Sequence, residues 1–387
     1  MQLSRRMSVL GTETAFEVLA KARKLEAEGK KIVHLEIGEP DFNTPENIKK
    51  AGMEAIRKNY SHYGPSGGLP EFRKAIAEHV SENRNVDIKV DEVVVTPGAK
   101  PIIFYGMLAC INPGDEVIYP NPGFPIYESM IRYVGGKPVP VPLREAREFR
   151  FSVDDIKARI TKKTKMIILN SPQNPTGGIL RKQDIQEIAA LAQRHKLWVM
   201  SDEVYSRIIY DGTHESIISE GDMKDRTILI DGFSKTYAMT GWRLGYGVMP
   251  SELSSQVAKL MTNSNSCTAT FTQIAGIEAL QGPQQSVQRM VKEFKKRRDV
   301  IVRELNKIPG VTCKRPGGAF YAFPNVKLVP KNSIQLQDFL LKEANVACLS
   351  GTSFGEEGYG YLRFSYANSV ENIKKGMAQV RETIKAI

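Results

Sequence analysis

Seven short apolar runs follow one another from residue 91 onward: Val93–Thr96, Glu116–Tyr119, Lys137–Val141, Met166–Asn170, Leu197–Ser201, Thr227–Asp231 and Leu244–Val248. Helical patterns fill several of the gaps between them, as at 99–110 and 182–195. Strands this uniformly apolar must be covered on both faces. Strands alternating with helices can supply that cover, so the pattern predicts an α/β chain with a mainly parallel seven-stranded sheet between two helical layers. In such sheets ligands bind beyond the C-terminal ends of the strands. The residues that close each apolar run are therefore the ones to read for chemistry.

The two ends of the chain follow a different rhythm. Residues 12–30 form a helical pattern with Phe16, Leu19, Ala22 and Leu25 on one side and Gly29 at its end. Ile32–Ile37 then reads as a strand running into the turn Gly38-Glu39-Pro40-Asp41, and helices are expected at 45–58 and 69–83. After residue 285 a long charged helix (286–307) leads to short strand patterns at Val311–Cys313, Phe320–Phe323 and Tyr361–Phe364, with a helix at 333–344. A chain of 387 residues exceeds one ordinary core. The expectation is a large unit of residues 45–284 and a smaller, discontinuous α+β unit built from 1–44 and 285–387.

The formal charge of +11 raises the question of nucleic acid. Its basic residues are interspersed with acids, and the densest run, Lys292–Asp299, alternates with apolar positions as a solvated helix face does. No nucleic-acid-binding module accompanies the charge, so attraction of anionic small molecules is the use expected of it. No apolar run is long enough to span a bilayer, so no membrane partner is expected. Met1–Met7 carries two arginines without the apolar stretch of an export signal, and a cytoplasmic protein is expected. Cys110, Cys267, Cys313 and Cys348 are scattered without ligand spacing, which predicts neither disulfides nor a metal site, and Cys110, Cys267 and Cys348 read as buried thiols.

The strand ends carry four motifs. Thr227–Ile230 runs into Ser234-Lys235-Thr236, with Arg243 eight residues beyond the lysine. A lysine at a strand end beside a hydroxyl and an arginine suits an amine that holds an aldehyde cofactor, pyridoxal phosphate, through a Schiff base, with Ser234 and Arg243 on its phosphate. The competing reading is a solvated lysine. Val93–Thr96 ends at Pro97-Gly98-Ala99-Lys100-Pro101, a glycine turn opening a helix whose free N–H groups suit an anion. Leu197–Ser201 ends at Asp202, suited to a pyridine nitrogen or, on the blander reading, to capping the next helix, with Tyr205 three residues on. Arg363, between apolar neighbours in Tyr361–Phe364, has the planar fork that matches a carboxylate, although an ordinary ion pair competes. The loop after Met166–Asn170 places Asn174 within reach of a cofactor's phenolic oxygen, or is simply a turn.

The order and company of these motifs resemble the class I/II aminotransferases of PLP fold type I, closest in look to the aspartate aminotransferase-like enzymes of bacteria and archaea. Gly38-Glu39-Pro40-Asp41-Phe42, Tyr63–Gly68, Asn174-Pro175-Thr176-Gly177, Asp202-Glu203-Val204-Tyr205, the lysine segment and Arg363 carry the resemblance over essentially the whole chain. It implies that Lys235 is the Schiff-base lysine and moves the substrate's proton. It implies that Asp202 pairs with the ring nitrogen, and Asn174 and Tyr205 with the ring oxygen. Gly98, Ala99, Ser234 and Arg243 would hold the phosphate, and Phe124 would stack on the ring. Arg363, with the Gly38 backbone nearby, would bind the substrate α-carboxylate. Tyr63 would reach the phosphate of a neighbouring subunit, so the resemblance implies a homodimer with shared sites.

Two features bear on substrate. Many aspartate aminotransferases have tryptophan where this chain has Phe124, and phenylalanine stacks without donating a hydrogen bond. Lys100 points the other way, because in some bacterial relatives a lysine at the matching position meets the distal carboxylate of aspartate. The expected reaction is a ping-pong transfer from an L-amino acid, aspartate first, to 2-oxoglutarate, with alanine-type or aromatic donors as the alternative. A PLP-dependent lyase, racemase or cyclase on the same fold is a rival. A PLP-sensing regulator is another, and it would need a DNA-binding domain ahead of the first helix.

Overall fold

The computed structural model describes residues 3–387; Met1 and Gln2, the start of the segment assigned to the smaller unit and of the N-terminal run read for export signals, lie outside the described residues. In chain order the strands are β1 (Val33–His34), β2 (Val93–Thr96), β3 (Glu116–Asn121), β4 (Lys137–Pro142), β5 (Thr164–Asn170), β6 (Trp198–Asp202), β7 (Thr227–Gly232), β8 (Gly245–Val248), β9 (Tyr321–Ala322), β10 (Val346–Ala347), β11 (Leu349–Ser350) and β12 (Leu362–Ser365). Seven of them form one sheet in the order β2-β8-β7-β6-β5-β3-β4. Only β8 runs against the rest, antiparallel to both β2 and β7. The molecule is therefore a mixed α/β protein with a mostly parallel central sheet.

Side chains alternate along each central strand, and both faces are apolar. Met166 and Ile168 of β5, Met200 of β6 and Ile228 and Ile230 of β7 join one core with the helices Lys100–Cys110 and Ser251–Thr262. Ile167 and Leu169 of β5 and Val199 of β6 face the other side, against Ile185, Ile188, Ala189 and Ala192 of the helix Lys182–His195. Those four positions recur at helical spacing, and the helix ends where Lys196 turns left-handed at φ 53°. Each fully buried Ile or Met is worth about 2 kcal/mol in removed apolar surface, which is why both periodicities are enforced.

The remaining strands make two small sheets. β1 pairs in parallel with β10, and β11-β12-β9 forms an antiparallel ribbon. Their core joins Phe294, Ile301, Phe320, Leu336, Leu340, Phe364 and Met377, drawn mostly from the C-terminal part of the chain, with Val33 and Leu35 from the N-terminal part. Three local expectations are corrected. Val311–Cys313 contributes one isolated bridge, Thr312 to Asn325, because the Cys313 N–H and C=O bond to the Asn306 side chain and not to a neighbouring strand. In the helix Thr14–Ala27 the buried seam is Val18 and Ala22, while Phe16 is 61% exposed because it faces the open cavity beside Lys100 and Phe124 and not the core. Cys267 is only half-buried, whereas Cys313 joins Cys110 and Cys348 in the core; all four thiols are free.

Candidate active site

The C-terminal ends of β5, β6 and β7 open into a cavity of about 350 Å³. Lys235, Asp202, Tyr205, Asn174, Ser234, Ala99, Lys100, Phe124, Arg243, Gly38 and Arg363 all line it. Residues up to 325 positions apart in sequence thus share one space; Gly38 and Arg363 are the extremes of this set. Gly98 lies just behind this wall, and Tyr63 is 88% exposed and does not reach it.

Lys235 stands on the single helical turn Phe233–Thr236 directly after β7. Its ammonium donates to the Gly38 carbonyl and lies 5.8 Å from the Phe320 ring centroid. Burial lowers its pKa to about 8, and Arg363 and Lys100 push the same way against Glu39 and Glu13. An amine this easily deprotonated is a competent nucleophile near neutral pH.

Asp202 closes β6 and is buried, accepting from Tyr127 Oη at 2.6 Å and from the Val204 N–H at 3.3 Å. Burial raises its pKa to about 6, because neither donor carries charge to offset the lost hydration. Tyr205 Oη is 2.7 Å from Tyr321 Oη. Arg363 on β12 is 3% exposed and stacks over Tyr321 and Phe354, 4.6 and 4.8 Å from their centroids. It donates to Asn174 Oδ1 at 3.1 Å and to the Glu36 carbonyl, and its Nε has no partner among the described residues. A buried guanidinium without a carboxylate has capacity left for an anion.

The opposite end of the cavity is built by backbone. Gly98 takes φ +87°, and a Cβ there would lie 2.3 Å from Arg243 Nη2. Glycine is needed at that turn for both reasons. The N–H groups of Ala99 and Lys100, at the start of the helix Lys100–Cys110, have no protein acceptor among the described residues. Arg243 itself sits in the left-handed region at φ 53°, its guanidinium donating to the Thr240 carbonyl at 2.8 Å. Free N–H groups, a helix start and an arginine in one corner suit a phosphate. Phosphate corner, near-neutral lysine, buried aspartate and aromatic face together fit pyridoxal 5′-phosphate in donor type and in sign of charge.

The chain matches the family model described as Aminotransferase class I and II over residues 30–380. It belongs to the class I and II aminotransferases. Members of this family use pyridoxal 5′-phosphate, and the protein is accordingly a PLP-dependent transaminase. It is 42% identical to an aspartate aminotransferase of Pyrococcus abyssi, with 92% of each chain covered. It is 38% identical to aromatic-amino-acid aminotransferase 2 of Thermococcus litoralis, over 100% of this chain and 99% of that one. A solved alanine aminotransferase from Pyrococcus furiosus superposes with a TM-score of 0.95 at 36% identity, covering 100% of both chains.

Sequence reasoning missed four residues of this transaminase's cavity. Tyr127 lies three positions after Phe124, and its partnership with Asp202 depends on how the helix Ile126–Tyr133 packs on the sheet. Tyr321 was read only as part of a strand. Glu39 lay inside a quoted motif, yet nothing assigned its side chain. Glu13, at the start of the first long helix, pairs with Lys100 across the cavity. Lys100 is exposed, with its ammonium 5.3 Å from the Phe124 ring centroid.

Proposed function

We propose that this aminotransferase moves the amino group of an L-amino acid, with aspartate as one donor among several, to 2-oxoglutarate in a ping-pong reaction. The observation that carries the reading is the convergence of Lys235, Asp202 and Arg363 on one cavity. When bound, pyridoxal phosphate supplies an aldehyde that accepts an amino group and a ring that accepts electrons. Lys235 would hold that aldehyde, and its amine would move the proton at the substrate Cα. Burial keeps the lysine's proton loosely held, as this exchange requires.

Asp202, poorly hydrated and without a cationic partner, would pair with a ring N–H⁺ and keep it protonated; Tyr127 holds the carboxylate in place. Asn174 and Tyr205 would serve the ring oxygen, and Phe124 would pack against the ring. Gly98, Ala99, Ser234 and Arg243 hold the phosphate, with the Lys100 N–H beside them. Arg363 fixes the substrate α-carboxylate through its planar fork, with Asn174 and the Gly38 backbone at its sides.

The same reading divides the chain into a large unit, 45–284, and a smaller one made from 1–44 and 285–387, with the cavity between them. It makes the protein a homodimer. Exposed Met53, Ile56, Tyr60 and Tyr63, close together in sequence, offer apolar side chains suited to a second copy, and Tyr63 would serve the neighbouring site. Four free thiols fit the reducing cytoplasm. No helix among the described residues is long and apolar enough to cross a membrane.

The test is a half-reaction. The PLP-loaded protein is mixed separately with L-aspartate, L-alanine and L-phenylalanine without an oxo acid. Absorbance then follows conversion of the cofactor to its amine form. Conversion by aspartate supports the reading; conversion only by the other two removes aspartate as a donor.

A further inference from the structure

Four cationic side chains line the cavity: Lys235, Arg243, Arg363 and Lys100. On the reading above, the first holds the cofactor, the second its phosphate and the third the α-carboxylate. Lys100's ammonium is the one left for a substrate side chain. It is not free. It forms an ion pair with the Glu13 carboxylate, 87 positions away in sequence.

Glu13 stands just before the helix Thr14–Ala27 in extended backbone, φ −90° and ψ 113°. Its side chain is 25% exposed and that of Lys100 45%, so the pair is partly wet and sits at the mouth of the cavity. Such pairs are weak and exchange readily. The carboxylate on Glu13 is the same chemical group that a dicarboxylic amino acid would present to Lys100. An alanine-type or aromatic side chain has no such group and would pack on Phe124 and Phe16 with the pair in place.

We infer that Glu13 is a specificity-determining residue: its carboxylate occupies Lys100 as a built-in competitor, so dicarboxylic amino acids bind by displacing it and neutral ones do not. This rests on the transaminase reading of the cavity. It explains how one pocket can hold a lysine for acidic substrates without excluding apolar ones. A neutralised Lys100 costs an apolar side chain less desolvation than a bare ammonium would.

The test is Glu13→Gln in the PLP-loaded protein, with Glu13→Ser as a second variant in case glutamine disturbs the segment. Succinate, a dicarboxylate that cannot be transaminated, is titrated by calorimetry, and kcat/KM is measured for aspartate and for alanine. The inference expects succinate affinity and the aspartate-to-alanine ratio both to rise, by roughly fivefold. In a Lys100→Met background, removing Glu13 is expected to change succinate affinity by less than about twofold. Unchanged or weaker succinate binding in both Glu13 variants overturns it, as does an equal gain without Lys100. Because succinate binding needs no turnover, the two readings separate. Tighter succinate with no conversion of aspartate leaves Glu13's role standing and removes aspartate as donor. Conversion of aspartate with unchanged succinate binding does the reverse.

Discussion

Asp202 and Glu203 are consecutive acids at the end of β6, both buried, and they serve opposite sides of the sheet end. Asp202 faces the cavity with two neutral donors, Tyr127 and the Val204 N–H, and its pKa is raised to about 6. Glu203 meets Arg84 Nε at 2.8 Å, His214 Nε2 at 2.7 Å, Ser201 Oγ at 3.0 Å and Ser216 Oγ at 2.5 Å. Burial would raise Glu203 as well, but the charge of Arg84 and the bonds from His214 and Ser216 outweigh it and hold the pKa near 2. Equal burial with different partners therefore separates the two acids. One has spent its charge on the fold; the other retains an unmatched demand for a cation. Polarity at a strand end does not mark a functional site by itself. An acid left short of positive partners does.

The largest effect is expected on the cavity side. Lys235→Ala should lower turnover by at least ~10³-fold while leaving the urea midpoint almost unmoved, because the side chain serves the cofactor and not the core. Glu203→Ala should do the opposite. It strands Arg84 beside Asp231, whose own pKa burial has already raised to about 7, and should cost roughly 3–5 kcal/mol in chemical denaturation. Comparable unfolding by both variants would erase the distinction between the two acids.

Asp202→Asn sharpens it further. The amide still accepts from Tyr127 but offers no negative charge, so kcat should fall by about 10²-fold. The apoprotein should be as stable as the parent or more so. Asp202's folded pKa lies above its ordinary 3.8, so ionising it costs stability as pH rises from there to about 6. The advantage of the asparagine variant should therefore open across that interval. Glu203 has the reverse sign: its pKa is lowered from 4.5 to about 2, so its contribution is present above pH 4.5 and lost as pH falls toward 2. Denaturation curves of the two variants across pH 2–7 read both signs in one experiment.

The smallest effect is kinetic. Capture of pyridoxal phosphate by the apoprotein requires the neutral Lys235 amine, so its rate should climb with pH through about 8 and level off above. A midpoint near the ordinary lysine value of 10.5 would show that the cavity does not desolvate the amine.

The strand-end wall was legible because each of its residues follows an apolar run that can only be a buried strand. The seven runs, the direction of most of them and the approach of Asn174, Asp202 and Lys235 follow from that rule and from the common C-terminal edge of a parallel sheet. β8 runs against the others, and its four residues carry no mark of direction. Arg363 was legible for a different reason, as a charge embedded in an apolar strand. Tyr321 and Tyr127 were not, since a buried tyrosine reads equally well as core until its hydroxyl's partner is known.

By itself, the sequence determined the layers of the sheet, the lysine, aspartate and arginine that need special surroundings, and the family. These depend on local periodicity and on residue types too costly to bury idly. Only the tertiary structure decided that Glu13 reaches Lys100, that Gly38 receives the Lys235 ammonium, and that Asp202 and Glu203 part company across the sheet. Apart from Glu203–His214, 11 positions apart, those contacts join segments dozens to hundreds of residues apart. Their energies depend on distance and burial, which no local pattern encodes.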